Sequence, residues 1–214
     1  MDDRWAEHPV RPRRTDAPAS LVLAGLTLVV ALTSAVLPVA PWLAAGASPA
    51  FDFQVWRPLL YGLTTGSLLQ AVINGVFLVL VGRGLEPLVG SWQFAALYLL
   101  GGLGGATALS LVGVPVAFDG AICGIFAILA AMAVVKHAQH QDIRGDIILI
   151  TLFIIWAIVI GSAAWVADIG AVVVGAAAGW VWVRTRWSAP ARTGLGLGAV
   201  ALVCLAAVAV TWLT

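Results

Sequence analysis

The sequence predicts an all-α membrane protein that crosses the bilayer seven times, and three observations carry that prediction. Of its 214 residues, 62% are hydrophobic and 10% charged, where soluble domains carry about 25% charged residues. Apolar runs long enough to cross a hydrocarbon core of roughly 30 Å as helices recur from end to end. The basic residues collect on one side of the topology that those runs define.

The spans are predicted at 20–43, 59–82, 92–113, 119–136, 146–163, 166–184 and 194–213. A polar tail, 1–19, precedes them. A core, 20–185, is followed by a loop and an extra C-terminal helix, 186–214. The apolar stretch Leu21–Leu37 is longer than the apolar region of a cleaved signal, so the first span is read as a retained helix. Pro38 and Pro41 are expected to kink or end it. The segment 44–57 carries Phe51, Phe53 and Trp56, which suit the membrane interface. Gly101, Gly102, Gly104 and Gly105 line the third span, and Ala171, Gly175 and Gly179 recur every four residues in the sixth. Small residues at such spacing let helix backbones approach closely.

Arg4, Arg11, Arg13 and Arg14 precede the first span and Arg83 follows the second. Lys136 and Arg144 flank the loop after the fourth, and Arg184, Arg186 and Arg192 follow the sixth. With the N-terminus in the cytoplasm, ten of the eleven basic residues lie on the cytoplasmic side and only Arg57 lies outside, as the positive-inside rule requires. The C-terminus is then expected outside.

The net charge of +1 comes without a basic stripe, so no nucleic-acid partner is expected. Cys123 and Cys204 both fall within spans and form neither a disulfide framework nor a metal-type spacing. His137 and His140, near Asp142 and Asp146, read as solvated loop residues rather than metal ligands. No cofactor or metal is expected.

The motifs lie between Trp56 and Gly179. The first run, WRPLLYGLTTGSLLQAVIN, covers Trp56–Asn74 and sets Gln70 and Asn74 on one helical face. The second, GRGLEPLVGSWQFAALYLLGGLGG, covers Gly82–Gly105. Ala117-Phe118-Asp119-Gly120 then leads into AICGIFAILAAM, and Ala167-Asp168-Ile169-Gly170 is followed by Gly175. In order and separation these runs resemble the core of the rhomboid intramembrane serine proteases. Trp56 and Arg57 match the family's outer-loop pair. Glu86, Gly90 and Phe94 match its entry into the third helix. Asn74 matches its oxyanion-site asparagine, and Gly120 the glycine after its nucleophile. The departures fall on the chemistry. Gln70 and Thr65 stand where the family has histidines, and Ala117 replaces a glycine. Asp119 stands where the serine nucleophile belongs, and Asp168 where the histidine base belongs. The resemblance implies a rhomboid-like six-helix transmembrane core plus one C-terminal helix, with Trp56, Arg57, Glu86, Gly90, Gly120 and Gly175 as scaffold.

A serine is a weak nucleophile until a base takes its proton, and imidazole suits that task near neutral pH. A carboxylate at the serine position does not perform the same acyl transfer. The remaining histidines, His8, His137 and His140, are predicted on the cytoplasmic side, away from an outward-facing cavity. The resemblance implies that Asp119 and Asp168 face each other. Two carboxylates that close share a proton, an arrangement with which aspartic proteases activate water, although the Gly-x-Gly-Asp run of presenilin-like enzymes is absent here. Each aspartate also falls near the N-terminal end of its predicted helix, where Asp is a favoured N-cap and complements the helix dipole. Gln70 and Asn74 are expected to hydrogen-bond each other or a neighbouring helix, and Arg57 to anchor the outer loop at the interface.

The main expectation is a proteolytically inactive rhomboid-like protein of a bacterial plasma membrane. It would contact lipids and bind the transmembrane helices of client proteins through Asn74, Gln70, Asp119 and Asp168, as inactive rhomboids and derlins do. The alternative is an active intramembrane endopeptidase using the Asp119/Asp168 pair. A third reading is a small transporter or proton-relay protein, since intramembrane acids often mark such paths.

Overall fold

The computed structural model describes residues 17–51, 53–159, 162–185 and 190–213. The tail arginines, His8 and Arg186 lie outside the described residues. Helices follow one another as α1 (Pro18–Ser34), α2 (Val39–Leu43), α3 (Trp56–Leu60), α4 (Leu68–Val89), α5 (Ser91–Val112), α6 (Gly120–Ala138), α7 (Arg144–Val159), α8 (Ala164–Thr185) and α9 (Pro190–Thr211). Single 3-10 turns at Pro49–Phe51 and Tyr61–Leu63 lie between α2 and α4. Among the described residues the one β-type pairing is a bridge between Ala45 and Ala117. Five helices are long and apolar enough to cross a membrane: α4, α5, α6, α8 and α9. The apolar α1 has 17 residues and α7 has 16.

The last five predicted spans agree with α5 to α9 to within four residues. The first two are corrected. Span one was expected to reach residue 43, but α1 ends at Ser34. Pro38 then precedes the separate turn α2, and Pro41 takes a place in the first turn of α2, where its missing N–H is not needed. Span two was expected at 59–82, but α4 runs from Leu68 to Val89. Its start is set by Ser67, whose Oγ accepts from the Gln70 amide at 3.2 Å, a cap followed by Gln at the third position. Its end lies beyond Gly84 and Pro87, at Gly90. With φ of +92° and open space around its Cα, Gly90 is chosen for conformation, and it lets α5 begin at once.

Helices α5, α6 and α8 form the centre, with α1, α4, α7 and α9 around them. Phe94, Leu97, Tyr98, Leu103, Phe126 and Ile128 are fully buried there. The outward faces of the other helices are apolar and exposed, as lipid contact requires: Leu69, Val76 and Leu80 on α4, Ile148 and Leu152 on α7, Leu202 and Val203 on α9. Close approach at the centre depends on missing side chains. A methyl group on Gly175 would collide with the Ala127 backbone, so α6 and α8 meet almost backbone to backbone.

The end of the bundle that holds the close of α4 also holds the start of α1. Glu86, 1% exposed, accepts the Ala19 amide on Oε1 at 2.8 Å and the Ser20 amide on Oε2 at 3.0 Å. A carboxylate from α4 thus closes the N-terminus of α1, satisfying free N–H groups and the helix dipole together. At the other end Tyr98 donates to the Gly62 carbonyl at 2.7 Å and holds the 3-10 turn against α5.

Two substitutions test this packing by thermal unfolding in detergent. Glu86→Gln leaves one carbonyl oxygen for two amides and is expected to cost about 1–3 kcal/mol; an unchanged midpoint would contradict the capping role. Gly175→Ala is expected to cost about 1–3 kcal/mol by overpacking. Gly84→Ala, at a helical site with open space around it, is expected to lower the midpoint not at all.

Candidate functional site

The site lies at the end of the bundle opposite Glu86, where the 3-10 turn, the link to α4 and the starts of α6 and α8 converge. It is built by a splice. Thr64 Oγ1 donates to the Tyr61 carbonyl at 2.8 Å and accepts the Gly120 amide at 3.1 Å, while the Thr64 carbonyl accepts the Ala121 amide at 2.9 Å. The first amides of α6 are therefore capped by Thr64, far away in sequence. Gly120 packs against the Tyr61 carbonyl so closely that no Cβ fits.

Asp119 holds the N-cap position of α6 but does not cap it. Its Oδ1 accepts the Gly66 amide at 2.7 Å instead. Because Thr64 has already taken the helix end, the carboxylate is free to clamp the turn before α4. Gly66 is hemmed in by Asp119 Oδ1 and Gln70 Oε1, and a Cβ there would fall 2.7 and 3.3 Å from them. Asp168 is not a cap either. It is the fifth residue of α8, whose start is served by Ser162 Oγ accepting the Ala164 amide at 3.1 Å. Asp168 is 2% exposed.

Among the described residues no hydrogen bond joins Asp119 to Asp168. What lies between them is Cys123, one helical turn below Asp119, with Sγ 3.9 Å from the Asp119 carbonyl and 4.0 Å from Asp168 Oδ1. The sequence marked this cysteine only as buried. Its spacing of four from Asp119 put it on the same face, but its approach to Asp168 depends on the α6–α8 packing.

Gln70 is half-buried in the first turn of α4, and Asn74 lies one turn further in, 6% exposed. The expected hydrogen bond from Asn74 to Gln70 or to a neighbouring helix is absent on the donor side: its Nδ2 has no partner. Thr65 Oγ1 and the Tyr61 hydroxyl are also buried without partners. Buried polar groups in folded proteins are nearly always paired, so three unpartnered groups around one carboxylate cluster set this place apart. Tyr61, Thr64 and Gly66 were missed in the sequence, because their roles exist only through the splice to α6.

Arg57, expected as an interfacial anchor, is buried. Its Nε donates to Gln54 Oε1 at 2.6 Å and its Nη1 to the Pro41 and Ala44 carbonyls at 2.6 and 3.1 Å, with the guanidinium 4.1 Å from the Phe51 ring centre. It ties α2, the outer loop and α3 together, while its neighbour Trp56 stays exposed. His137 and His140 lie at the far end of α6, where Lys136 pairs with Asp146 at 2.8 Å. The described residues hold no group of three or more His, Cys, Asp and Glu side chains arranged for a metal.

Beside the carboxylates, α4, α6 and α7 border a narrow cleft of about 40 Å³, lined by Ile73, Asn74, Phe77, Ile122, Phe126 and Phe153 among others. Phe77 and Phe153 meet edge to face across it, ring centres 6.0 Å apart. Helix α7 is lightly held, with Asp146 and Ala157 its only buried residues among those described.

No curated protein matches the sequence. A family model described as the Rhomboid domain matches residues 52–185, the stretch that spans the outer loop, the splice and both aspartates. That is more than half of the chain, and the chain belongs to the rhomboid family.

Proposed function

We propose that this rhomboid-family membrane protein binds transmembrane helices of client proteins and does not cleave them by serine chemistry, making it a pseudoprotease with the six-plus-one helix arrangement. In this reading the end bearing Arg83, Lys136, Arg144, Arg184 and Arg192 faces a bacterial cytoplasm, and Asp119 faces outward.

The observation that carries the reading is the chemistry at the head of α6. The side chains gathered there include Asp119, Asp168, Cys123, Thr64, Thr65 and Tyr61, and among the described residues no serine–histidine pair joins them. His137 lies 18 residues along the same helix from Asp119, about 27 Å away at 1.5 Å per residue. Asp119 is committed to the Gly66 amide, so the position that would carry a nucleophile serves as a clamp. Binding capacity is supported from the side. The unpaired Asn74 amide borders the cleft between α4 and α7, and in hydrocarbon an incoming helix with a free carbonyl or polar side chain gains by accepting from it. The ring pair Phe77–Phe153 is the contact that such a helix would part.

Cleavage of a tagged single-helix reporter in proteoliposomes tests the reading. Wild type is expected to give no product. Product from wild type that disappears in Asp119→Ala or Asp168→Ala would overturn it in favour of an aspartyl-type protease. The triple variant Gln70→His, Asp119→Ser, Asp168→His serves as the measure of how protease-shaped the frame remains, and product from it alone fits the proposal.

Capture is tested separately by photo-crosslinking from Ile73, beside Asn74. Phe153→Ala is expected to raise the yield of crosslinked membrane helices severalfold, and Asn74→Leu to lower it for helices with a polar residue at that depth. Equal yields in wild type and both variants would contradict a lateral docking cleft.

A further inference from the structure

The end of the bundle away from the aspartates holds a much larger cavity, of about 380 Å³. It opens where five helix ends meet: the close of α4, α6 and α8 and the start of α5 and α9. Its lining combines apolar side chains, Leu88, Val89, Val135 and Val183, with polar ones, Gln93, Gln139, Thr185 and Thr193. Trp182 also lines it. This residue is 7% exposed, and its indole N–H is a buried donor without a partner. Thr185 Oγ1 donates to the Val181 carbonyl at 2.8 Å and therefore accepts from Thr193 Oγ1 at 2.9 Å, so both hydroxyl hydrogens are used and the pair keeps only acceptor capacity. The α5 N-terminus at this cavity has no side-chain cap, which leaves its first amides available to an acceptor.

The end of the bundle that holds the cavity is net positive. Of the six arginine and lysine residues among those described, Arg57 alone lies at the opposite end; Arg83, Lys136, Arg144, Arg184 and Arg192 lie at this one, against Glu86, Asp142 and Asp146, and none of them lines the cavity itself. Lys136 is neutralised by Asp146, and Arg184 lies over the Trp180 ring at 5.0 Å. Donors, an uncapped helix start and surplus positive charge all favour an anion. The apolar side chains in the same lining favour a hydrocarbon-bearing one. Basic pockets between transmembrane helices at this level hold acidic phospholipid headgroups in general.

We propose that this cavity binds the phosphodiester headgroup of an anionic phospholipid, with the Trp182 indole and the Gln93 amide donating to its phosphate and ester oxygens and Leu88, Val89, Val135 and Val183 taking the start of its acyl chains. The site is separate from the aspartate cluster, and its occupancy would brace α9 and α4 against the core.

Native mass spectrometry of the full chain, delipidated in detergent and titrated with phosphatidylglycerol, phosphatidylcholine or inorganic phosphate, tests the proposal. Phosphatidylglycerol is expected to bind at least several-fold more tightly than phosphatidylcholine, and Trp182→Phe to weaken it about tenfold, as loss of one donor to a charged acceptor predicts. Gln93→Leu, on the half-exposed wall, provides a second variant for which folding is less at risk, and unfolding midpoints of both are compared with wild type. Equal binding of the two lipids, or binding unchanged in both variants, would overturn the proposal. So would inorganic phosphate binding that the variants abolish while phosphatidylglycerol does not bind, since the cavity would then be a free-anion site.

Discussion

The whole arrangement depends on how helix ends are closed where water is scarce. An amide left unpaired in hydrocarbon costs several kcal/mol, yet α1 and α6 begin without caps from their own N-cap side chains. Each borrows one from a distant part of the chain. Glu86 closes α1 from the end of α4, and Thr64 closes α6 from the turn before α4. Both loans are drawn from the flanks of α4. That helix is thereby fixed at its two ends against different partners, α1 at one and α6 at the other.

The borrowing at α6 has a consequence for the site. A residue at an N-cap position is normally occupied with its own helix. Thr64 relieves Asp119 of that duty, and the carboxylate reaches sideways to Gly66. A serine at the same place would be equally free, which is what a nucleophile needs. The architecture that exposes a reactive side chain is thus present, and an acceptor-only group occupies it. Asp168, one helix away and buried, has Cys123 as its neighbour instead of a base-activated hydroxyl. The polar groups near them that have no partner, Tyr61, Thr65 and Asn74, are donors. Carboxylates and idle donors together are the groups that the proposed recognition role would use.

Much of the fold was legible because hydrocarbon imposes length and apolarity on each helix, and the runs from Ser91 onward leave little freedom in where helices begin. The first two spans were misplaced because apolarity is a poor guide to helix limits when loops also sit in the interface. Residues 39–43 and 59–63, drawn into the first two spans, form short turns pinned by Arg57 and Tyr98. The signal that separates them from α4 was present as Gly66-Ser67 with Gln70 three residues on. At the site, the identities of Asp119, Asp168, Gln70 and Asn74 could be read from motif spacing. What each does could not, because the deciding bonds link residues far apart: 53 positions from Gly66 to Asp119, 56 from Thr64 to Gly120 and 45 from Cys123 to Asp168. Arg57 shows the same limit, since an arginine beside a tryptophan reads as an anchor until the carbonyls that bury it are known.

The two ends of the bundle divide the work that a membrane setting demands. At the aspartate end, buried donors lie beside a narrow cleft guarded by the Phe77–Phe153 contact, and the helix that would have to move, α7, buries little. At the basic end the helices are pinned, by Glu86 to the start of α1 and by Lys136 to Asp146. Lys136 and Asp146 join the close of α6 to the start of α7, so α7 is tethered at that end, while further along Phe153 packs against Phe77 and Phe126. Moving α7 sideways would break two aromatic contacts, Phe77–Phe153 and Phe126–Phe153, and little backbone hydrogen bonding, since every N–H in a helix moves with its own partner. Under the proposed function, that combination would let the bundle admit a foreign helix at the depth of its polar groups without unfolding any helix of its own.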